Sequence, residues 1–175
     1  MSKLKISKTL RSKLAKIKAI VTDVDGVLTD GTFWWDKDEL ELKRFHFADI
    51  TGIPLAQRAG IKIALMSGES SHSGMAIVDR YSKKLRIEDV YKGCHDKQRA
   101  VKEFAKKYGL ELSDICFVGD DINDLPAMMV TGLSVAPKNA NDSVLEFVDI
   151  ISSKDGGQGV IREVIGFILS SRNSK

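Results

Sequence analysis

Cysteine is scarce in this chain of 175 residues. Only Cys94 and Cys116 occur, and they do not form a CxxC pair. A disulfide framework and a zinc ribbon are therefore excluded, and such sparing use of thiols fits a reducing compartment. Histidine is equally thin: His46, His72 and His95 are scattered, which excludes a histidine-rich transition-metal site. No apolar run approaches the ~20 residues of a membrane span. The N-terminus has no apolar segment of the secretory kind, so the expected location is the cytoplasm. Neither GxxxxGK[ST] nor GxGxxG is present, which speaks against a nucleotide-binding enzyme. Residues 1–19 have no acidic side chain at all and seven basic ones (Lys3, Lys5, Lys8, Arg11, Lys13, Lys16, Lys18).

What is present is ordinary globular composition, 43% hydrophobic and 29% charged, enough for one core and one domain over 1–175. The chain carries 27 basic and 24 acidic residues, so outside the first 19 the balance is 20 to 24, or −4. The positive charge belongs to a basic N-terminal arm, residues 1–16, on a mildly acidic body. No RNA- or DNA-binding pattern accompanies it, and no nucleic-acid or membrane partner is expected. The arm reads as a solvated helix with Leu10, Leu14 and Ile17 on one face.

Apolar runs alternate with longer helical stretches. Ile17–Thr22, Ile61–Met66, Ile87–Tyr91, Ile115–Val118, Leu133–Val135 and Val148–Ile151 read as strands. Helices are expected over Thr51–Ala59, Ser70–Lys84, Lys97–Tyr108, Leu125–Val130, Val144–Phe147 and Val160–Ser170. Thr32–Trp35 and Glu39–Phe45 read as a hairpin. Strand–helix alternation implies parallel strands joined by right-handed crossovers. The expected fold is α/β, a three-layer Rossmann-like sandwich with a central parallel sheet and a protruding hairpin. Its active site belongs at the carboxyl ends of the strands, just after Thr22, Met66 and Val118.

Those three places hold Asp23-Val24-Asp25-Gly26-Val27-Leu28-Thr29-Asp30-Gly31, Ser67-Gly68, and Gly119-Asp120-Asp121-Ile122-Asn123-Asp124. Lys97 opens a helix between the latter two. Carboxylates converging at strand ends repel one another, and a hard cation relieves that; all-oxygen ligation favours Mg²⁺. A phosphate monoester needs the same cation, a lysine, and N–H or hydroxyl donors. Asp23 is placed to attack phosphorus as a carboxylate nucleophile. Asp25, two residues on, is placed to protonate the leaving oxygen and then to activate water.

The set DxDGVLTDG, SG, K and GDDxND, in that order over residues 23–124, resembles the haloacid dehalogenase superfamily of aspartate-nucleophile phosphatases. The resemblance implies that Asp23 is nucleophile and metal ligand. It makes Asp25 the acid/base, with its backbone carbonyl on the metal, and Asp120 a direct ligand. Asp121 or Asp124 would support the metal from behind. Ser67, Gly68 and Lys97 would hold the phosphoryl group.

Many such phosphatases carry an inserted cap domain. Only 41 residues separate Asp25 from Ser67 and 22 separate Lys97 from Asp120, and predicted elements already use both stretches. The chain is similar to the capless branch acting on 2-keto-3-deoxy sugar acids. The matching pieces are DVDGVLTDG, Lys43-Arg44-Phe45-His46, Gly52-Ile53, GDDINDLP and Gly156-Gly157-Gln158-Gly159 with Val160 to Glu163. In that last piece Arg162 is a candidate partner for phosphate or carboxylate.

Two departures bear on the substrate. The Arg-Asp-Gly typical of octulosonate enzymes before the Gly-Ile pair is Ala48-Asp49-Ile50 here. The Arg typical after Ser/Thr-Gly is Glu69, a residue suited to hydroxyls or an amine. Glu69 resembles the nonulosonate 9-phosphate type and tilts the reading to nine carbons, with octulosonate 8-phosphate next. The resemblance also implies a homotetramer built on the hairpins, whose Phe33, Trp34, Trp35 and Phe45 a capless monomer has little to bury against. Two rival readings remain. One is a receiver domain, which would put its phosphorylated Asp after a middle strand. The other is a non-catalytic oligomerisation module of the kind attached to acylneuraminate cytidylyltransferases, in which loss of Asp23 or Asp120 would be expected.

Overall fold

The computed structural model describes residues 7–38 and 40–172. Lys3 and Lys5 of the basic arm and Glu39 of the predicted hairpin lie outside the described residues. Helix α1 (Lys8–Lys16) leads into β1 (Ala19–Thr22). A two-stranded antiparallel ribbon follows, β2 (Trp34–Trp35) and β3 (Glu41–Leu42). Then come α2 (Phe47–Arg58), β4 (Lys62–Met66), α3 (His72–Leu85), β5 (Asp89–Tyr91), α4 (Lys97–Tyr108) and β6 (Ile115–Val118). The chain closes with α5 (Leu125–Met128), β7 (Leu133–Ala136), α6 (Asp142–Leu145), β8 (Ile150–Ile151) and α7 (Val160–Arg172).

Six strands form one parallel sheet in the order β5-β4-β1-β6-β7-β8. Alternate strand residues serve two separate cores. Ile20, Ile63, Leu65, Cys116 and Val118 face the layer that includes Leu14, Ile53 and Ile165. Ala19, Val21, Ala64, Met66 and Phe117 face the layer that includes Val101 and Phe104. A strand buried on both faces cannot alternate apolar with polar residues, which is why IKAIVT and IKIALM read as near-continuous apolar runs. The expected three-layer α/β sandwich is present. Between β1 and β4 lie only the ribbon and α2, so no cap is inserted.

The element boundaries differ from expectation where a cap residue outweighs periodicity. Helix α2 starts at Phe47 rather than Thr51, because the His46 ring accepts the Ala48 N–H at 3.1 Å. Pro54 sits inside this helix and forgoes one ladder bond. Helix α6 starts at Asp142 rather than Val144, capped by the Asn141 side chain. Ile17 ends α1 instead of opening β1. The ribbon is two residues long in each strand, shorter than predicted; the Asp36 carboxylate takes the Asp38 and Leu40 N–H groups at 2.8 and 2.9 Å and tightens the turn. The described part of the basic arm is a docked helix. Leu14 and Ile17 are fully buried, and Lys13 reaches Asp149 at 2.7 Å.

Candidate active site

The parallel sheet puts β1, β4 and β6 side by side, so the loops leaving their carboxyl ends share one rim. At the end of β1, the Asp23 N–H donates to Val118 O at 2.9 Å, and the Asp23 carboxylate takes the Val24 N–H at 2.7 Å. The chain then turns sharply. Gly26 has φ +89°, and a Cβ there would lie 2.0 Å from Asp120 Oδ2. Only glycine lets the first loop pass this close to the loop after β6. The buried Thr29 hydroxyl takes the Gly26 and Gly31 N–H groups, each at 3.3 Å, and locks the turn. Asp30 does structural work: it accepts from Thr32 and from Arg44, the latter at 2.8 Å.

Lys97, the first residue of α4, is 2% exposed. Its Nζ lies 2.8 Å from Asp23 Oδ2 and 2.7 Å from Asp124 Oδ1. Asp124 is fully buried and uses its other oxygen to take the Asp120 and Asp121 N–H groups, at 3.0 and 3.2 Å. Carboxylate oxygens of Asp23, Asp120 and Asp124 lie within 4.8 Å of one another. Three carboxylates face one lysine, an excess of two negative charges. Burial first, and then the neighbouring Asp124 charge, push the Asp23 carboxyl up to about 7 against the pull of Lys97. Burial and the charges of Asp23 and Asp124 push Asp120 up to about 8. Burial alone would lower Lys97, but the two carboxylates outweigh it and hold the ammonium above its ordinary range. Asp120 Oδ1 is buried without a hydrogen-bond partner. An orphaned carboxylate oxygen in an over-charged cluster is what a divalent cation would satisfy.

Above the cluster opens a cleft of about 350 Å³, whose lining includes Asp23, Asp25, Lys43, Glu69, Asp120 and Asn123. Ser67 is 1% exposed; its Oγ accepts the Glu69 N–H at 3.1 Å. Gly68 has no atom within 4 Å of where a Cβ would be, so the backbone there is open to a ligand.

Residues 71–164 match the haloacid dehalogenase-like hydrolase family. Over 163 residues the chain is 36% identical to the 3-deoxy-D-manno-octulosonate 8-phosphate phosphatase of Haemophilus influenzae, covering 93% of this chain and 88% of that one. The chain belongs to the haloacid dehalogenase-like hydrolases. The Escherichia coli K12 enzyme of the same name is 31% identical, covering 94% of this chain and 85% of the relative. The phosphatase of Moraxella catarrhalis, solved with a magnesium ion, phosphate and KDO, superimposes with a TM-score of 0.88 at 36% identity, covering 93% and 91% of the two chains.

Within this hydrolase, the structure brings together Asp23, Asp25, Ser67, Gly68, Glu69, Lys97, Asp120 and Asp124 around one rim. Asp121 lies on the rim too, but its carboxylate takes the Ile122 N–H at 2.8 Å. Arg162 does not join them. It is exposed in the first turn of α7, its side chain lies over Gly52, and its backbone N–H donates to Asp49 at 2.8 Å. The glycine-rich piece before it reaches the site by backbone instead: Gly157 N–H bonds Val27 O at 2.9 Å, and a Cβ on Gly156 would lie 1.9 Å from Gly26 O.

Lys43 opens the Lys43-Arg44-Phe45-His46 stretch, and its part in the site comes from the structure. It lines the cleft and ion-pairs with Asp25 at 2.8 Å. The signal was the Glu41-x-Lys43 spacing, which puts two opposite charges on one face of an extended segment.

Proposed function

We propose that the chain is a Mg²⁺-dependent phosphatase that hydrolyses 3-deoxy-manno-octulosonate 8-phosphate through an aspartyl-phosphate on Asp23. The observation that carries the reading is the buried cluster of Asp23, Asp120, Asp124 and Lys97 beneath a cleft that Asp25 overlooks. Asp23 and Asp120 would hold the ion together with the Asp25 carbonyl. Asp124, both of whose oxygens are engaged, orients Lys97 and the Asp120 loop. A bound Mg²⁺ supplies positive charge to the phosphoryl oxygens and to the crowded carboxylates. The Asp23 carboxylate attacks phosphorus, the ester P–O bond breaks, and Asp25 gives its proton to the departing sugar oxygen. Asp25, now a carboxylate, takes a proton from water as that water attacks phosphorus. The P–O bond to Asp23 breaks and phosphate leaves. Lys97, Ser67 and the open backbone at Gly68 stabilise the phosphoryl oxygens. With both aspartates in place, the non-catalytic module is not favoured.

The eight-carbon substrate is preferred because relatives similar over nearly the whole chain carry that name. The tilt to nine carbons rested on Glu69 facing the sugar. Its carboxylate takes the Ser71 N–H at 2.7 Å and sits 3.5 Å from Lys43, which gives it a local task near the start of α3. Phosphate release across octulosonate 8-phosphate, nonulosonate 9-phosphates and hexose phosphates, with and without Mg²⁺, tests the reading. We expect kcat/KM for octulosonate 8-phosphate to exceed the others by about 10-fold or more. A higher value for a nonulosonate 9-phosphate would overturn the eight-carbon assignment and return Glu69 to the sugar.

The working unit in this reading is a homotetramer that places a neighbouring subunit over the uncapped cleft. Trp34 and Trp35 are 73% and 67% exposed, and Phe33, Leu40 and Leu42 of the same hairpin are exposed too, whereas Phe45, expected to share their exposure, is partly buried and stacks on Tyr81 at 4.2 Å. Contiguous aromatic surface of this kind is costly to leave in water. The pair Trp34→Glu and Trp35→Glu is expected to dissociate the assembly in light scattering and to lower turnover with no catalytic group touched. A fully active ~19 kDa wild-type species would refute this.

A further inference from the structure

The hairpin does more than present aromatics. Just past β3 it delivers Lys43, whose side chain is 3% exposed. Lys43 Nζ lies 2.8 Å from Asp25 Oδ1, 3.0 Å from Glu41 Oε1 and 3.5 Å from Glu69 Oε2. Glu41 is itself buried, so it and Lys43 balance each other's charge inside the structure. Asp25 is different: its side chain is 36% exposed at the mouth of the cleft. Among the described residues its carboxylate has one other contact, the Thr29 hydroxyl at a long 3.5 Å. A half-exposed carboxylate held by a buried, doubly anchored ammonium takes its direction from that ammonium.

We propose that Lys43 is the positioning residue for the acid/base Asp25, and that through it the hairpin controls protonation of the leaving group and activation of water. This rests on reading Asp25 as the acid/base. Lys43 reaches the reaction through Asp25 and lies apart from the Lys97 cluster. Its loss should therefore weaken the proton-transfer steps and leave phosphoryl binding intact.

The test is a double-mutant cycle on Lys43 and Asp25. Lys43→Met should lower kcat about 10²-fold on a sugar phosphate with KM changed less than about 3-fold. p-Nitrophenyl phosphate separates the steps, because nitrophenolate departs without needing a proton. In rapid mixing, Lys43→Met should release close to one nitrophenolate per site in a fast burst and then turn over slowly, as the aspartyl-phosphate waits for water. Asp25→Asn should behave alike, and Lys43→Met with Asp25→Asn should be no slower than Asp25→Asn alone. Additive losses in the double variant, or a large rise in KM with kcat kept, would overturn the proposal. If Asp25→Asn itself turns over normally, the acid/base reading fails instead, and the proposal falls with it. Should Lys43→Met fold poorly because Glu41 is left buried and unpaired, Glu41→Leu with Lys43→Met removes that charge, and the same cycle is run on that background.

Discussion

Asp23→Asn is expected to abolish turnover, by about 10³-fold or more, while leaving the fold in place. The amide has the shape of the carboxylate and keeps an oxygen for the Val24 N–H, which Asp23 now takes at 2.7 Å. The main-chain anchor from Asp23 N–H to Val118 O is untouched. What is lost is the nucleophile and one of the charges that would hold the metal. The amide also sets N–H donors against Lys97, whose ammonium now lies 2.8 Å from Asp23 Oδ2, so Lys97 would turn wholly to Asp124. The checks are phosphate release, Mg²⁺ affinity by calorimetry, and circular dichroism. Both turnover and Mg²⁺ affinity should fall while the helical signal stays. Near-native turnover would remove the aspartyl-phosphate mechanism.

The parallel sheet was legible because β1, β4 and β6 are short apolar runs, the first two followed at once by Asp23 and Ser67 and the third by Gly119-Asp120. The site was legible because its groups sit at strand ends and a helix start, where a fixed topology converts sequence order into spatial proximity. Asp124 follows the same rule: at the end of the loop after β6, one of its oxygens meets Lys97 and the other takes the Asp120 and Asp121 N–H groups. The early start of α2 was hidden because it depends on a histidine cap. The reach of Lys43 was hidden for another reason: it depends on how a two-residue ribbon folds back over the cleft, and no periodicity encodes that. Arg162 carried a family pattern into view. The register of α7 against α2 sets where it points, and that is decided by Gly52 and Asp49 more than one hundred residues away in sequence.

Lys97→Met should give the second large effect, and it separates stability from chemistry. The lysine is almost wholly buried, with carboxylates at 2.8 and 2.7 Å. Removing one partner from a buried ion network leaves uncompensated charge, which costs roughly 3–5 kcal/mol. In a domain of this size that lowers the melting temperature on the order of 10 °C. The loss should be incomplete, because Asp23 and Asp120, already pushed up toward neutral pH, can take up protons instead. Mg²⁺ should therefore raise the melting temperature of Lys97→Met more than that of the wild type, since the cluster then holds one more uncompensated negative charge and binding to the folded state is worth more. Turnover should not follow. A saturating metal replaces the lost charge beneath the cluster but supplies no ammonium to the phosphoryl oxygens, so kcat should stay down by about 10²-fold or more even where stability has been restored. Adding Asp124→Asn to Lys97→Met should recover part of the melting temperature by removing the other stranded carboxylate, again without recovering turnover. A Lys97→Met protein that melts like the wild type would show that the ion network carries no net stability. One that regains turnover when Mg²⁺ saturates it would show that Lys97 serves only as a counter-charge.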